Sequence, residues 1–258
     1  MNFTLVTSLG DIDLLGEIPG GVAPPATAWP RMRDGREIAP TISQMVFRDR
    51  LHAARLLAEE LIRRGVGRDA LVLGLPRGGV PMARVVADAL VAQVDVLLVR
   101  KLGVPFQPEL AFGAVAEGGV RVLDRAIMDE CGITPRQVEQ AVAREQDEIA
   151  RRSHLFRGPR GPAEVKGREV IVVDDGLATG STMLAAVRAL RAQGARRVVV
   201  AVPVGSAQAC DLLGEAADEV VCLSTPTPFD AVGNWYRDFT QVTDKEAMAA
   251  LAGPLVRP

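Results

Sequence analysis

Short apolar runs alternate with segments of helical periodicity along most of the chain. After Met45, apolar residues recur at helical spacing up to Gly65, which predicts a helix that ends there. Later runs are apolar at nearly every position instead of every second one, at residues 70–75, 95–100, 169–173, 197–204 and 219–223. Such runs are typical of parallel strands covered on both faces.

Helical segments connect these strands. We predict helices over residues 80–90, 134–152, 181–193 and 206–214, with a hairpin over 111–123 that turns at two glycines. The pattern predicts an α/β fold, a doubly wound parallel sheet flanked by helices. Ligands of such sheets bind beyond the carboxyl ends of the strands, so the loops after residues 75, 100, 173, 204 and 223 are the candidate site.

The first forty residues differ from the rest. Residues 3–15 fit a small hairpin, and residues 16–30 contain seven Gly or Pro in fifteen positions, a composition typical of a linker. We therefore predict an N-terminal hairpin and linker over residues 1–40 and one main domain over residues 41–258.

Charge and cysteine content exclude several classes of protein. The 30 basic and 32 acidic residues are mixed along the chain, so neither nucleic acid nor a membrane surface is expected as a partner. The three cysteines, Cys131, Cys210 and Cys222, are far apart, which argues against a disulfide framework or a zinc site. With no signal-like segment or apolar run of membrane-spanning length, we expect a cytoplasmic protein.

The strongest chemical signal is VIVVDDGLATGSTM, residues 170–183. Asp174 and Asp175 follow a buried strand, and a loop of glycines and hydroxyls leads into a helix whose N-terminus favours a phosphate. A P-loop is excluded because Ser181 stands where its lysine would be, and the dinucleotide fingerprint is absent. Two acids beside a phosphate cradle suggest a ribose 5-phosphate. The loop residues are Gly176, Leu177, Ala178, Thr179, Gly180, Ser181 and Thr182.

This segment resembles the phosphoribosyl pyrophosphate (PRPP) binding motif of the type I phosphoribosyltransferases. The resemblance implies that Asp174 and Asp175 hold the ribose 2- and 3-hydroxyls and that residues 178–182 wrap the 5-phosphate. Together with LPRGG, RKLG, QPELAFGAV and GNWYRDF, it extends over residues 45–245 and is similar to a little-characterised bacterial branch of the family. It implies the type I fold with a small hood.

Two further loops fit the same family. LPRGG, with Pro76, Arg77, Gly78 and Gly79, resembles the family's pyrophosphate loop, and a plain structural turn is the alternative. RKLG places Arg100 and Lys101 at a predicted strand end, where they can neutralise pyrophosphate or form a solvated charge pair.

The acceptor side is less defined. Four of the ten aromatic residues lie in residues 229–239, within a predicted hood segment of about 225–245, so we expect an acceptor pocket that includes Phe229, Trp235 and Tyr236. The alternative is an aromatic cluster that holds the C-terminal segment. Ala178 stands where the 6-oxopurine members of the family have an aspartate base, which leaves any base to the hood or to Glu109.

The resemblance implies transfer of phosphoribosyl from PRPP to a nitrogenous base or amine, with release of pyrophosphate. Asp174, Asp175, Arg100 and Lys101 would act electrostatically, and Mg²⁺ would arrive with PRPP instead of binding to the protein directly. Members of the fold often form homodimers. The alternative is a regulatory protein that binds PRPP or a nucleotide without turnover.

Overall fold

The computed structural model describes residues 32–33, 36–37, 46–67 and 69–253, without the side chains of residues 32–37, 108 and 109. Within the first forty residues it shows one short antiparallel pair, β1 (Met32–Arg33) with β2 (Arg36–Glu37). The hairpin predicted over residues 3–15 and the linker predicted over residues 16–30 lie outside the described residues.

The main domain alternates strands and helices as the apolar pattern predicts. In chain order its elements are α1 (Arg50–Arg63), β3 (Leu71–Gly74), α2 (Gly79–Leu90), β4 (Gln93–Val96), β5 (Val99–Val104), β6 (Gln107–Ala116), β7 (Arg121–Leu123), α3 (Arg125–Glu130), α4 (Pro135–Arg157), β8 (Glu169–Val173), α5 (Ser181–Ala192), β9 (Arg197–Val204), α6 (Ala207–Gly214), β10 (Glu219–Ser224) and α7 (Asp244–Ala252).

Five parallel strands form the central sheet in the order β10-β9-β8-β3-β4. The chain runs from β3 outward to β4, and the later strands β8 to β10 are added on the other side of β3. The direction of winding therefore reverses between β3 and β8. This reversal is the topological switch point at which ligands of open α/β sheets bind.

Both faces of the sheet are buried, which explains its unbroken apolar strands. Successive side chains of a strand point to opposite faces. In β8, Val170 and Val172 pack with α5 and α6, whereas Ile171 and Val173 pack with α1 and α2. The doubly wound sheet predicted from the sequence is confirmed.

A second sheet of three antiparallel strands, β5-β6-β7, adjoins the first. The single strand predicted over residues 95–100 is wrong, because it is two strands with a break at residues 97–98. The amide of Leu97 still donates to the carbonyl of Gly74 at 3.0 Å, but Val99 already pairs antiparallel with Ala116. The predicted hairpin over 111–123 is confirmed and belongs to this sheet.

Helix α4 has the predicted capping box, in which Thr134 and Gln137 each accept from the other's backbone amide. It runs to Arg157, beyond the predicted end near Arg152. The last turn is retained because Phe156 and Arg157 are buried there. None of the helices in the described ranges is both long enough and apolar enough to cross a membrane.

Arg157 joins the two sheets. Its guanidinium is 3% exposed and contacts Asp95 of β4 at 2.8 Å and Glu117 of the β6–β7 turn at 2.6 Å. It also donates to the carbonyl of Val96. The carboxylate of Asp95 accepts in addition from the amide of Ala163, so one network fixes the end of α4 and the connection to β8.

We expect Arg157→Met to lower the free energy of unfolding by about 3 kcal/mol, because it leaves two largely buried carboxylates without their cation. Arg151→Met is the matched control, since Arg151 pairs with Glu148 at the surface and its side chain is 61% exposed. Urea unfolding of both variants measures the difference. Equal stability of the two variants would contradict the role given to Arg157.

Candidate functional site

Two loops meet at the switch point between β3 and β8. The loop after β3 contains Pro76, Arg77, Gly78 and Gly79, and the loop after β8 begins with Asp174 and Asp175. The amide of Leu75 donates to the carbonyl of Val173 at 3.0 Å, which extends the pairing of the two strands into the loops. The structure thus brings together two of the three loops in which we predicted donor-binding residues.

Two glycines permit this close approach. A Cβ on Gly78 would lie 2.0 Å from Oδ2 of Asp175, and a Cβ on Gly79 would lie 2.3 Å from the carbonyl oxygen of Val173. Both distances are far below van der Waals contact. The double glycine of LPRGG is therefore required by the packing of this loop against the acid pair.

Asp175 forms an ion pair with Arg50, the first residue of α1. Both Nε and a terminal nitrogen of Arg50 lie 2.9 Å from Oδ2 of Asp175. The guanidinium also stacks 3.9 Å from the ring centre of Phe239 and donates to the carbonyl of Thr240 at 2.7 Å. A residue 125 positions earlier in the chain therefore fixes the orientation of this carboxylate.

Asp174 lies next to this pair without a cation of its own among the contacts found in the described residues. Its Oδ1 accepts from the amide of Asp175 at 2.9 Å. Removal from water, together with the neighbouring charge of Asp175, raises the pKa of Asp174 well above its usual range. Burial also raises the pKa of Asp175, although Arg50 opposes that shift. The site therefore holds two carboxylates at an electrostatic cost.

The loop that follows the acids is anchored to the end of β9. The amide of Leu177 donates to the carbonyl of Val204, and the amide of Ser206 donates to the carbonyl of Leu177, both at 2.9 Å. The hydroxyl of Ser206 donates to the carbonyl of Ala178 at 2.8 Å. These bonds attach the first half of the loop to the segment that leads from β9 into α6.

The second half of the loop leads into α5. Gly180 has φ +73°, which favours glycine, and immediately precedes the helix. The hydroxyls of Thr179 and Ser181 lie 3.1 Å apart. Ala178, Thr179 and Thr182 are exposed. The loop thus presents backbone amides and hydroxyls at a helix N-terminus, an arrangement suited to an anion.

Arg100 and Lys101 do not end a parallel strand, so that prediction is wrong. They are the second and third residues of β5 in the antiparallel sheet. Arg100 donates to Glu145 of α4 at 2.8 Å. The two cations line a cavity of about 550 Å³ that also reaches Thr182 at the start of α5. This cavity connects them with the loop after the acid pair. The side chain of Glu109, the alternative base, lies outside the described part of the chain.

The aromatic segment 229–239 lies against the acid pair. The hydroxyl of Tyr236 donates to the carbonyl of Asp175 at 2.6 Å, and its ring packs between Phe47 and Phe239. Burial raises the pKa of Tyr236, so the hydroxyl stays protonated. Trp235 and Phe229 are half-buried and pack against the core of the α1 and α2 face.

Val232 places the start of this segment close to the acid loop. A Cβ on Gly176 would lie 2.6 Å from a methyl carbon of Val232. The chain then forms a 3-10 turn over Val232–Trp235, and the amide of Phe47 donates to the carbonyl of Trp235 at 2.8 Å. The predicted acceptor segment therefore adjoins the predicted donor segment, although Tyr236 itself is part of the packed interior.

Arg50 and the structural role of Tyr236 were not predicted from the sequence. Arg50 occupies the first turn of a helix that we recognised only from its apolar positions. No local pattern indicates that its partner is Asp175, in the loop after β8. Contacts between residues that are far apart in the sequence leave no signal in the local sequence pattern. Among the described residues, no group of three or more His, Cys, Asp or Glu side chains is placed to hold a metal ion.

Comparison with known proteins shows which family the chain is similar to. The phosphoribosyl transferase domain model matches residues 47–235. Two Mycobacterium tuberculosis proteins, MT0597 and Rv0571c, are provisionally named phosphoribosyl transferases and are 48% identical over 206 residues, or 80% of this chain. The matched region is 46% of each relative, so this chain spans about half their length.

One solved structure and one shorter match add to this comparison. The crystal structure of TT1426 from Thermus thermophilus is 48% identical, with a TM-score of 0.74 over 80% of this chain and 98% of that one. The ribose-phosphate pyrophosphokinase of Pyrococcus furiosus is 40% identical over 72 residues, which is 27% of this chain and 26% of that enzyme.

We expect Asp174→Asn to stabilise the protein by about 1 kcal/mol at pH 8, as neutralising a strained site residue commonly does. A carboxyl group whose pKa is raised by folding costs stability above that pKa, and the cost disappears below the pKa of the unfolded chain. The gain should therefore shrink at pH 5. Urea unfolding at the two pH values measures it.

Asp218→Asn is a control with the opposite sign. Partial burial raises the pKa of Asp218, but hydrogen bonds from Arg191 and from the amide of Val198 outweigh it and lower the pKa overall. Its charge therefore stabilises the fold at both pH 5 and pH 8, and the Asn variant should be less stable at both. A loss of stability in Asp174→Asn at pH 8 would contradict the strain assigned to the acid pair.

Proposed function

The chain belongs to the phosphoribosyl transferase domain family, and on that premise we propose that it transfers the 5-phosphoribosyl group of PRPP to a nitrogenous acceptor and releases pyrophosphate. The observation that carries the proposal is the contact of Gly78 with Asp175, which joins the LPRGG loop to the acid pair at the switch point. One ligand with a phosphorylated ribose and a pyrophosphate arm would extend over both loops.

The 5-phosphate is proposed to bind at residues 178–182. The backbone amides at the start of α5 and the hydroxyls of Thr179, Ser181 and Thr182 supply donors without a fixed positive charge. Gly180 lets the backbone approach the phosphate closely because its φ of +73° turns the loop into the helix. The hydrogen bonds from Ser206 keep this cradle in place before the ligand arrives.

Asp174 and Asp175 are proposed to accept hydrogen bonds from the ribose hydroxyls. Because both contacts of Arg50 engage Oδ2 of Asp175, the second carboxylate oxygen is the one that we assign to the ribose. The negative charge of the pair also stabilises the positive charge that develops at the anomeric carbon as the pyrophosphate bond breaks. This role explains why the site retains a carboxylate with a raised pKa.

Pyrophosphate is proposed to leave through the loop of Pro76, Arg77, Gly78 and Gly79. The loop precedes α2, whose N-terminus points toward the same edge of the sheet and favours an anion. Arg100 and Lys101 would balance the charge of the leaving group from the cavity that reaches Thr182. The match to a part of a ribose-phosphate pyrophosphokinase supports a ligand with these two groups.

The donor set fits a magnesium ion that enters with the substrate. Mg²⁺ keeps several waters and is commonly held by one or two carboxylates together with substrate phosphates. Because Asp174 and Asp175 are assigned to the ribose hydroxyls, the ion is proposed to arrive on the substrate phosphates, and no group of three or more His, Cys, Asp or Glu side chains in the described residues is placed to hold it. When bound, Mg²⁺ supplies charge neutralisation for pyrophosphate.

The acceptor is proposed to lie between the acid loop and the segment 229–239. Phe229 and Trp235 are half-buried and offer apolar surface for a planar base. Tyr236 instead donates a hydrogen bond from its hydroxyl to the carbonyl of Asp175. At residue 178 an alanine leaves no proton acceptor in the loop. A basic acceptor nitrogen would need none, so the proposal does not require a protein base. A homodimer, a cytoplasmic location and the domain boundary at residue 40 stay predictions.

A regulatory protein that binds PRPP without turnover is the second candidate. The intact LPRGG loop beside the acid pair favours the enzyme, because release of pyrophosphate requires a place for the leaving group. Both candidates require PRPP binding, and they differ in whether pyrophosphate is released.

We expect Asp174→Asn and Asp175→Asn each to weaken binding of PRPP with Mg²⁺ by at least about tenfold, the effect of removing a charged hydrogen-bond acceptor. Calorimetry measures the affinities, and circular dichroism checks that the variants fold. Asp147→Asn, at an exposed position of α4, should bind like the unmodified chain. Unchanged affinity in both acid variants would remove the ribose assignment.

We expect pyrophosphate release when the protein is incubated with PRPP, Mg²⁺ and a panel of purines, pyrimidines and other amines. Gly78→Ala should reduce the rate at least about tenfold because its methyl group displaces Asp175. Gly161→Ala is the matched control, since a Cβ at Gly161 meets no atom within 4 Å. Tight PRPP binding without release for any acceptor would favour the regulatory protein.

A further inference from the structure

Two of the three cysteines lie together beneath the loop after the acid pair. Cys210 is on the first turn of α6, and Cys222 is near the end of β10. A Cβ on Gly205 would lie 3.1 Å from the sulfur of Cys210 and 3.5 Å from the sulfur of Cys222. Both sulfur atoms therefore lie close to the same position above Gly205.

Cys210 belongs to the core cluster on the α5 and α6 face of the sheet, and Cys222 packs against the same cluster. Cys210 is 6% exposed and Cys222 is half-buried. The thiol of Cys222 also donates to the carbonyl of Ser224 at 3.2 Å. Cys131, the third thiol, lies at the end of α3 and packs with a different core cluster.

The glycine between the two sulfurs belongs to the support of the loop. Gly205 lies opposite Leu177 in a parallel bridge, and Ser206 holds the carbonyls of Leu177 and Ala178. The amide of Cys210 donates to the carbonyl of Ser206 at 3.1 Å, so the cysteine is one helical turn away from these contacts. A displacement of the first turn of α6 would therefore move the loop.

A second contact ties α6 to the glycine that precedes α5. A Cβ on Gly180 would lie 3.3 Å from the Cβ of Ala209, the residue before Cys210. The loop is thus held by α6 at both ends, through Ser206 and through Ala209.

We propose that Cys210 and Cys222 form an oxidation site whose disulfide loosens the proposed phosphate loop, an inference that rests on the proposed function for its effect on PRPP. A disulfide brings two sulfur atoms to about 2.05 Å, closer than any hydrogen-bonded separation. Because Cys222 is fixed in the sheet, the approach draws the first turn of α6 toward β10. The contacts of Ser206 and Ala209 with the loop change with it.

The chemistry balances with a peroxide as oxidant. The Cys210 thiolate attacks one peroxide oxygen, the O–O bond breaks, and a sulfenic acid and water form after protonation. The sulfur of Cys222 then attacks the sulfenic sulfur, and a second water leaves with the thiol proton. Two thiols and one hydrogen peroxide give one disulfide and two waters.

The environment of the two thiols favours this order. The proximity of the two thiols lowers the pKa of Cys210 and raises that of Cys222, and burial raises the pKa of Cys222 further. Thiolate is the nucleophilic form. Cys210 is therefore the first thiol to react, and Cys222 is the one that resolves the sulfenic acid.

The test compares the reduced protein with the same protein after treatment with hydrogen peroxide. We expect peptide mass spectrometry to show a link between residues 210 and 222, with one of the three thiols still free. Calorimetry should show PRPP affinity about tenfold weaker, a typical coupling between two sites. A thiol reductant should restore it.

Cysteine variants distinguish the effect of the 210–222 disulfide from the effect of oxidation at other residues. Cys131→Ser should keep both the link and the loss of affinity. Cys222→Ser should bind PRPP like the reduced protein before and after peroxide, and Cys210→Ser provides the same test if the first variant fails to fold. Absence of the 210–222 link, or a link with unchanged PRPP affinity, would overturn the proposal. If the reduced protein binds no PRPP, the proposed function fails, and the mass measurement still decides whether the oxidation site exists.

Discussion

The site depends on the approach of the β3 loop to the carboxylate of Asp175. Gly78 leaves room for Oδ2 on one side, and Arg50 neutralises it on the other. The same arginine stacks on Phe239, and the carbonyl of Asp175 accepts from Tyr236. One residue of the loop after β8 therefore joins α1, the β3 loop and the C-terminal aromatic segment. A larger residue at position 78 would separate these three parts.

The parts of the molecule that follow from local sequence were predicted well. Strand β8 is apolar from Val170 to Val173 because both its faces are buried there, and the glycine-rich loop after it combines backbone freedom with hydrogen-bond donors in one short stretch. The capping box of α4 is local in the same way. Long-range pairing limits such reasoning. The run over residues 95–100 has the composition of one strand, but its second half pairs with Ala116, and no pattern within the run shows where the partner changes.

Arg50 and Arg100 illustrate the same limit at the site. Arg50 lies in a helix recognised from its apolar residues, and Arg100 was predicted from RKLG to end a strand. Only the tertiary structure shows that one contacts Asp175 and the other Glu145. A family motif identifies each donor loop because the residues of that loop lie within a few positions of one another in the sequence. The side chains that orient those loops come from distant segments, so their identity depends on how the helices pack.

The proposed donor site and the proposed acceptor site are built from different kinds of structure. The loops assigned to the donor are built from backbone groups and glycines, which tolerate little change because a single Cβ would clash. The segment 229–239 contacts them through side chains such as Val232 and Tyr236, whereas Phe229 and Trp235 are partly exposed. Substitution of those two rings would alter the surface beside the acid loop without moving Gly78 or Asp175. The architecture therefore permits the acceptor to change while the loops proposed to bind PRPP are kept, and a motif for the donor leaves the acceptor open for this physical reason.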